Sequence, residues 1–217
     1  MSVKNRGYYK IEGAARAFNF DFKNKIVLDI GSSTGGFTQY ALDRGAQKVI
    51  AIEKGTNQMA PSLRQDPRVE LHEKTDIFNV KTTELSSSGR SSRPSSWGSS
   101  LSPRSDCGFP SEDNSVVFDV IVADVSFTSL TKVLAHTKAN LASEATKFLV
   151  MLKPQFEARP DQLNNGVVKN ESIRRDIIKQ FEQWLKDHDF VIIKKRDNLL
   201  KGKTGNQERF YYLTLAK

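Results

Sequence analysis

A chain of 217 residues with 38% apolar side chains is long enough for one α/β domain with a real core and short for two. No apolar run approaches the roughly 18 residues of a membrane span, the opening MSVKNRGYYK has no apolar signal core, and the single cysteine, Cys107, cannot form an internal disulfide; a cytoplasmic protein without a membrane partner is expected. The net charge of +8 favours a polyanionic partner, with Lys194, Lys195, Arg196, Lys201 and Lys203 as a candidate phosphate-contacting edge, while three scattered histidines and one cysteine give no metal-ligand spacing.

Strand and helix signals alternate along the chain. Residues 1–22 form an N-terminal segment ahead of the first strand, KIVLDI (25–30). A glycine-rich turn leads into a helix from about Phe37 to Arg44, and KVIAIE (48–53) and the weaker VELHE (69–73) are the second and third strands. Ser86 to Ser105 holds eleven serines, three arginines and no acid. Such a segment buries too little apolar surface to offset its ordering entropy and reads as a disordered insertion, extending over 86–115. FDVIVAD (118–124) is a fourth strand, followed by a helix over Leu130–Leu141. The fifth, KFLVML (147–152), is apolar enough to be covered on both faces; it then delivers Lys153 and stops at Pro154, which cannot donate to a ladder. Glu171–Lys186 is amphipathic, with Ile173, Ile177, Ile178, Phe181, Trp184 and Leu185 on one face and Asn170 as N-cap. FVIIKKR (190–196) and RFYYLTLA (209–216) close the chain as an antiparallel pair. Repeated βα units with a terminal hairpin predict one α/β domain over 1–217, a doubly wound, mostly parallel sheet.

The turn in VLDIGSSTGGFTQYAL (27–42) sits between the first strand and the first helix, where an open sheet binds ligands. A Walker loop needs Gly-Lys-Ser/Thr, and the turn has no lysine. The dinucleotide fingerprint GxGxxG needs glycine where Ser33 stands. Glu53 ends the second strand, 22 residues after Gly31, where ribose hydroxyls are gripped. Asp29 would repel a pyrophosphate and suits a ligand bearing an amine and a sulfonium. The ligand expected is S-adenosylmethionine, with Asp29, Gly31, Ser32, Ser33, Thr34, Gly35, Gly36, Phe37 and Glu53 as candidate contacts, Asp124 at the same crevice, and Asp76 for the adenine edge.

The motifs LDIGSSTGGFT, ADVSFTSL (123–130), LKPQFE (152–157), GVVKN (166–170) and GNQERFYYL (205–213) resemble, in order and over nearly the whole chain outside the insertion, those of the FtsJ-like ribosomal-RNA ribose 2′-O-methyltransferases of the hemolysin A (TlyA) type. The resemblance implies a Rossmann-like, S-adenosylmethionine-dependent methyltransferase fold, ribosomal RNA or a ribosomal subunit as partner, and a catalytic tetrad falling on Lys10, Asp124, Lys153 and Glu208. Asp124 and Lys153 independently end core strands, and Glu208 opens the last one. Lys10 rests on the resemblance. Lys153 is expected to take or steer the 2′-hydroxyl proton or steady the oxyanion, with Asp124 orienting it and Glu208 holding Lys10 or the ribose. Two departures touch target recognition: the family's SRGGxKL is here NRGYYKI, and the family's usual small N-terminal RNA-binding domain is expected to be lacking. A non-catalytic RNA- or ribosome-binding protein that keeps the fold is the alternative.

Overall fold

Seven apolar runs become strands: β1 (Ile26–Ile30), β2 (Lys48–Ile52), β3 (Val69–His72), β4 (Val120–Ala123), β5 (Lys147–Leu152), β6 (Phe190–Asp197) and β7 (Arg209–Leu215). In this computed structural model, which describes residues 4–82, 116–200, 202 and 205–216, they form one sheet in the order β3-β2-β1-β4-β5-β7-β6. Strands β1 to β5 run parallel, and β7 lies antiparallel between β5 and β6. The doubly wound sheet with an antiparallel terminal hairpin is as expected. The serine-rich insertion, Cys107, Lys201 and Lys203 lie outside the described residues.

Side chains alternate across the strands with a period of two. Val27, Val49, Val122, Leu149, Met151 and Phe210 face one side, where α1 (Arg6–Phe18), α2 (Gly36–Asp43) and the short α3 (Pro61–Arg64) pack. Leu28, Ile50, Ile121, Val150, Leu152 and Tyr211 face the other, under α4 (Leu130–Asn140) and α6 (Glu171–Asp187). With both faces covered, the interior positions of the central strands are apolar, with Asp29 of β1 the exception. On α6, Asn170 caps through Ser172 and Ile173 N–H, and Ile177, Ile178, Phe181 and Leu185 are buried. Ile173 and Trp184 are only half-buried, Trp184 stacking on His188 at 4.1 Å.

Helix α1 is an element the sequence reading left as a tail. Asn5 caps it by accepting from Tyr8 N–H (3.0 Å), Tyr8, Ile11, Ala15 and Phe18 recur at helical spacing on its buried face, and Asn19 ends it in the left-handed region (φ 51°). Its first turn lies against α2 so closely that a Cβ on Gly36 would overlap the Asn5 side chain. Asn5 Nδ2 also donates to Thr34 Oγ1 (2.8 Å), tying the helix to the glycine turn. From the far side, Lys194 Nζ donates to Phe18 O (2.9 Å) and Arg196 to Gly13 O (3.4 Å), while Lys195 pairs with Glu182 (2.6 Å). These three cations each hold one contact that ties β6 to α1 or α6.

Candidate active site

The turn after β1 is shaped by what crowds it. Gly31 has φ +78°, and a Cβ there would stand 2.9 Å from Asp124 O, so β4 could not approach. Gly35 has φ +89°, and its missing side chain makes room for Leu63 of α3. Gly36 likewise makes room for α1, so two of the three candidate glycines allow close helix packing at the turn. Phe37 is likewise buried, stacking on Phe210 at 6.1 Å. Ser33 and Glu53 do face open space. The Glu53 carboxylate is held by two backbone donors, Ser33 N–H (2.8 Å) and Gly55 N–H (2.7 Å).

A cavity of about 590 Å³ opens at the carboxyl ends of β1, β2 and β4, with Gly31, Ser33, Glu53, Asp76, Phe78 and Asp124 among its walls. Asp76 caps the turn Ile77–Asn79 through Phe78 N–H (3.2 Å) and pairs with Lys54 (3.0 Å), which holds its carboxyl below the usual range. Asp29 is not on the wall. It is wholly buried beneath the turn, accepting from Thr38 Oγ1 (2.6 Å), and burial, with the nearby Asp124 carboxylate adding, raises its pKa to about 7. Its Oδ1 and the buried Ser32 Oγ have no hydrogen-bond partner.

Beside the cavity the period-two rule continues past the strand ends. Asp124 follows Val122, Lys153 follows Met151 and Glu208 precedes Phe210, so all three lie on the α1 side of the sheet. Leu152 pairs with Arg209, which sets Lys153 and Glu208 opposite each other just beyond the ladder. Lys153 Nζ pairs with Asp124 Oδ1 (2.6 Å) and donates to Ser126 Oγ (2.9 Å). Lys10, on α1, pairs with Glu208 Oε2 (2.6 Å); the two side chains are 9% and 3% exposed. Asn198 Nδ2 donates to the same oxygen (3.2 Å). The four residues named from sequence thus form two lysine–carboxylate pairs at neighbouring strand ends, and each lysine has the carboxylate expected for it.

Several polar groups here were missed. Ser126 and Asn198 carry no charge to draw notice. Asn206 is buried, accepting from Val168 N–H (3.0 Å) and donating to Gly166 O (3.0 Å), so that GVVKN and GNQE, far apart in sequence, meet. Phe127 is 92% exposed at φ 61°, a strained conformation for an aromatic residue, at the rim of the cavity and 5.3 Å from the Phe156 ring.

A doubly wound sheet with a nucleoside-sized cavity at its switch point defines the class as a Rossmann-like fold with a ligand crevice at its strand ends. The chain belongs to the FtsJ-like methyltransferase family, whose pattern matches residues 3–215. It is 32% identical over 210 residues to the 16S/23S rRNA (cytidine-2′-O)-methyltransferase TlyA of Mycobacterium tuberculosis, covering 96% of this chain and 67% of that protein. A Campylobacter jejuni 23S rRNA (cytidine-2′-O)-methyltransferase TlyA is 30% identical, covering 96% and 69%. A solved structure from Streptococcus thermophilus that bears the hemolysin name superposes with TM-score 0.82 at 28% identity, over 100% of this chain and 68% of that one. Among the described residues no helix is long and apolar enough to cross a membrane.

Proposed function

We propose that this methyltransferase moves a methyl group from S-adenosylmethionine to a ribose 2′-hydroxyl of ribosomal RNA. The observation that carries the reading is Lys153, pinned by Asp124 and Ser126 at the edge of a cavity that Asp124 itself helps to line. Two TlyA relatives named for cytidine 2′-O-methylation of ribosomal RNA support the choice of acceptor.

The acidic lining fits the cofactor. Asp29 Oδ1 and Ser32 Oγ lie buried without hydrogen-bond partners under the turn, and the cavity wall above carries the carboxylates of Glu53, Asp76 and Asp124, which suit a ligand bearing an ammonium and set acceptor against acceptor for a pyrophosphate. Glu53, fixed by two backbone donors, is placed for ribose hydroxyls, and Asp76 with Phe78 for the adenine. When bound, S-adenosylmethionine supplies a methyl group already activated by its positive sulfur.

The chain's own work is then positioning and proton management. Lys153 Nζ stands in an ion pair with Asp124 Oδ1 and donates a hydrogen bond to Ser126 Oγ. Its remaining donor capacity meets the acceptor hydroxyl, orients its lone pair toward the methyl group and stabilises the oxyanion that develops as the hydroxyl proton passes to solvent water. Glu208 and Asn198 hold Lys10 over the neighbouring strand end, where its charge serves the ribose or its phosphate. Phe127 offers an exposed ring to an unstacked base.

The test is incubation with tritiated S-adenosylmethionine and separately purified ribosomal subunits, followed by alkaline digestion. Label in an alkali-resistant dinucleotide is expected, since 2′-O-methylation blocks cleavage. Label on a base or on protein overturns the acceptor, and cofactor binding without transfer favours the non-catalytic RNA-binding alternative.

A further inference from the structure

The loop after β4 and the corner after β5 meet residue by residue. Lys153 pairs with Asp124 and donates to Ser126. Next, Phe156 lies against Phe127. Last, Glu157 Oε2 accepts from Ser129 Oγ (2.6 Å) and Oε1 from Leu130 N–H (2.7 Å). Glu157 takes no part in the chemistry above, yet it is half-buried and spends both carboxylate oxygens on one neighbouring segment.

Capping alone does not account for it. Helix α4 already has Ser129, whose Oγ accepts from Thr131 N–H (3.2 Å). Burial raises the Glu157 carboxyl pKa above the usual range, with Ser129 and Leu130 opposing the shift and Lys132 adding to them. What Glu157 adds to capping is a bond between two segments. It sits four residues after Lys153 on a single helical turn, α5 (Pro154–Glu157), started by Pro154 and closed by Phe156 N–H to Lys153 O (2.9 Å) and Ala158 N–H to Pro154 O (3.0 Å). So short a turn is a rigid lever, and fixing its last residue fixes its first.

We propose that Glu157 is a positioning residue for methyl transfer: by clamping Ser129 and Leu130 it holds the Asp124–Thr128 loop against the β5 corner and keeps Lys153 on its two partners. This rests on the reading of Lys153 as the group that meets the acceptor. Without the carboxylate, Lys153 itself and one ring contact are what remain of the contacts described above, and an ammonium on a flexible stem is a weak hinge pin.

Two readouts test it on the full chain. The first is limited acetylation with acetic anhydride and peptide mapping, without cofactor or RNA, comparing Lys153 with Lys48, which pairs with Glu70 (2.6 Å) at the other end of the sheet. In Glu157→Gln, whose amide keeps one acceptor for Leu130 N–H but loses the charge and turns its NH2 toward the Ser129 hydroxyl, Lys153 becomes several-fold more reactive and Lys48 does not change; Ser129→Ala, which keeps the carboxylate and its Leu130 contact, falls between. Unchanged Lys153 reactivity overturns the proposal, and so does a parallel rise at Lys48, which marks general loosening. The second readout is turnover at saturating substrates. Glu157→Gln lowers kcat by about tenfold, as a small misplacement of a reacting group does, but costs nothing further in a Lys153→Ala background. Equal losses in both backgrounds overturn it. Should Lys153→Ala itself turn over at the wild-type rate, the functional reading of Lys153 fails, while the labelling still decides the clamp.

Discussion

At the scale of single residues, Lys153 and Asp29 show how burial sets the use of a charge. Lys153→Ala removes the donor that meets the hydroxyl, and methyl transfer is expected to fall by at least about a hundredfold, the usual loss for a general base or oxyanion donor. Cofactor affinity, read by calorimetry with S-adenosylhomocysteine, should change little. Lys153→Arg keeps the charge but puts a wider guanidinium between Asp124 and Ser126, and activity is expected to stay low. Partial rescue by arginine would mark a purely electrostatic role. Asp29 makes a different prediction. Its pKa in the fold, about 7, lies above the ordinary 3.8. The folded chain therefore holds more protons than the unfolded one between those values, and stability from this site is fully present below about pH 4 and lost as pH rises through about 7. Asp29→Asn is neutral throughout. Its melting temperature relative to wild type, measured without cofactor, should climb from pH 5 to pH 8; a constant difference would show that Asp29 titrates normally.

Helix α1 is the element on which the site depends most and which was least visible in the sequence. Its markers were present in Asn5 and in the spacing of Tyr8, Ile11, Ala15 and Phe18. They are weak because the helix is rich in glycine, alanine and charge, and its stability comes from docking on α2 and on β6. Gly36→Val should destabilise the fold by roughly 2 kcal/mol or more, since the new side chain collides with Asn5 and the α1 backbone. Methyl transfer should fall with it under conditions where the variant is still folded, because Lys10 rides on the displaced helix. Full activity in a folded Gly36→Val protein would separate Lys10 from the chemistry. By contrast, α6 was legible almost residue by residue, its 17 residues carrying a continuous apolar stripe and a capping asparagine.

For the molecule as a whole, the net charge of +8 favours a polyanionic partner. On the proposed RNA acceptor, each phosphate neutralised adds about 0.7 to the salt slope on single-stranded RNA. The KM for ribosomal RNA should accordingly rise steeply between low and moderate salt while the affinity for S-adenosylhomocysteine stays flat. A salt-independent KM would mean that recognition does not run through phosphates.

The sequence by itself determined the strands, their burial on both faces, the hairpin at the end and the identity of the four ionisable residues at the site. Each of these is a local signal: a run of apolar residues, a proline after a lysine, a glycine-rich turn at a strand's end, together with a motif order matched to a known family. What only the tertiary structure decided is who meets whom. Gly35 and Gly36 make room for helices, Asp29 lies under the turn with a carboxyl that is hard to ionise, a run of basic residues on β6 contacts α1 and Glu182, and Glu157 reaches back to α4. Periodicity reports that a face is buried but not against what, because the partner comes from elsewhere in the chain and is chosen by sheet order and register.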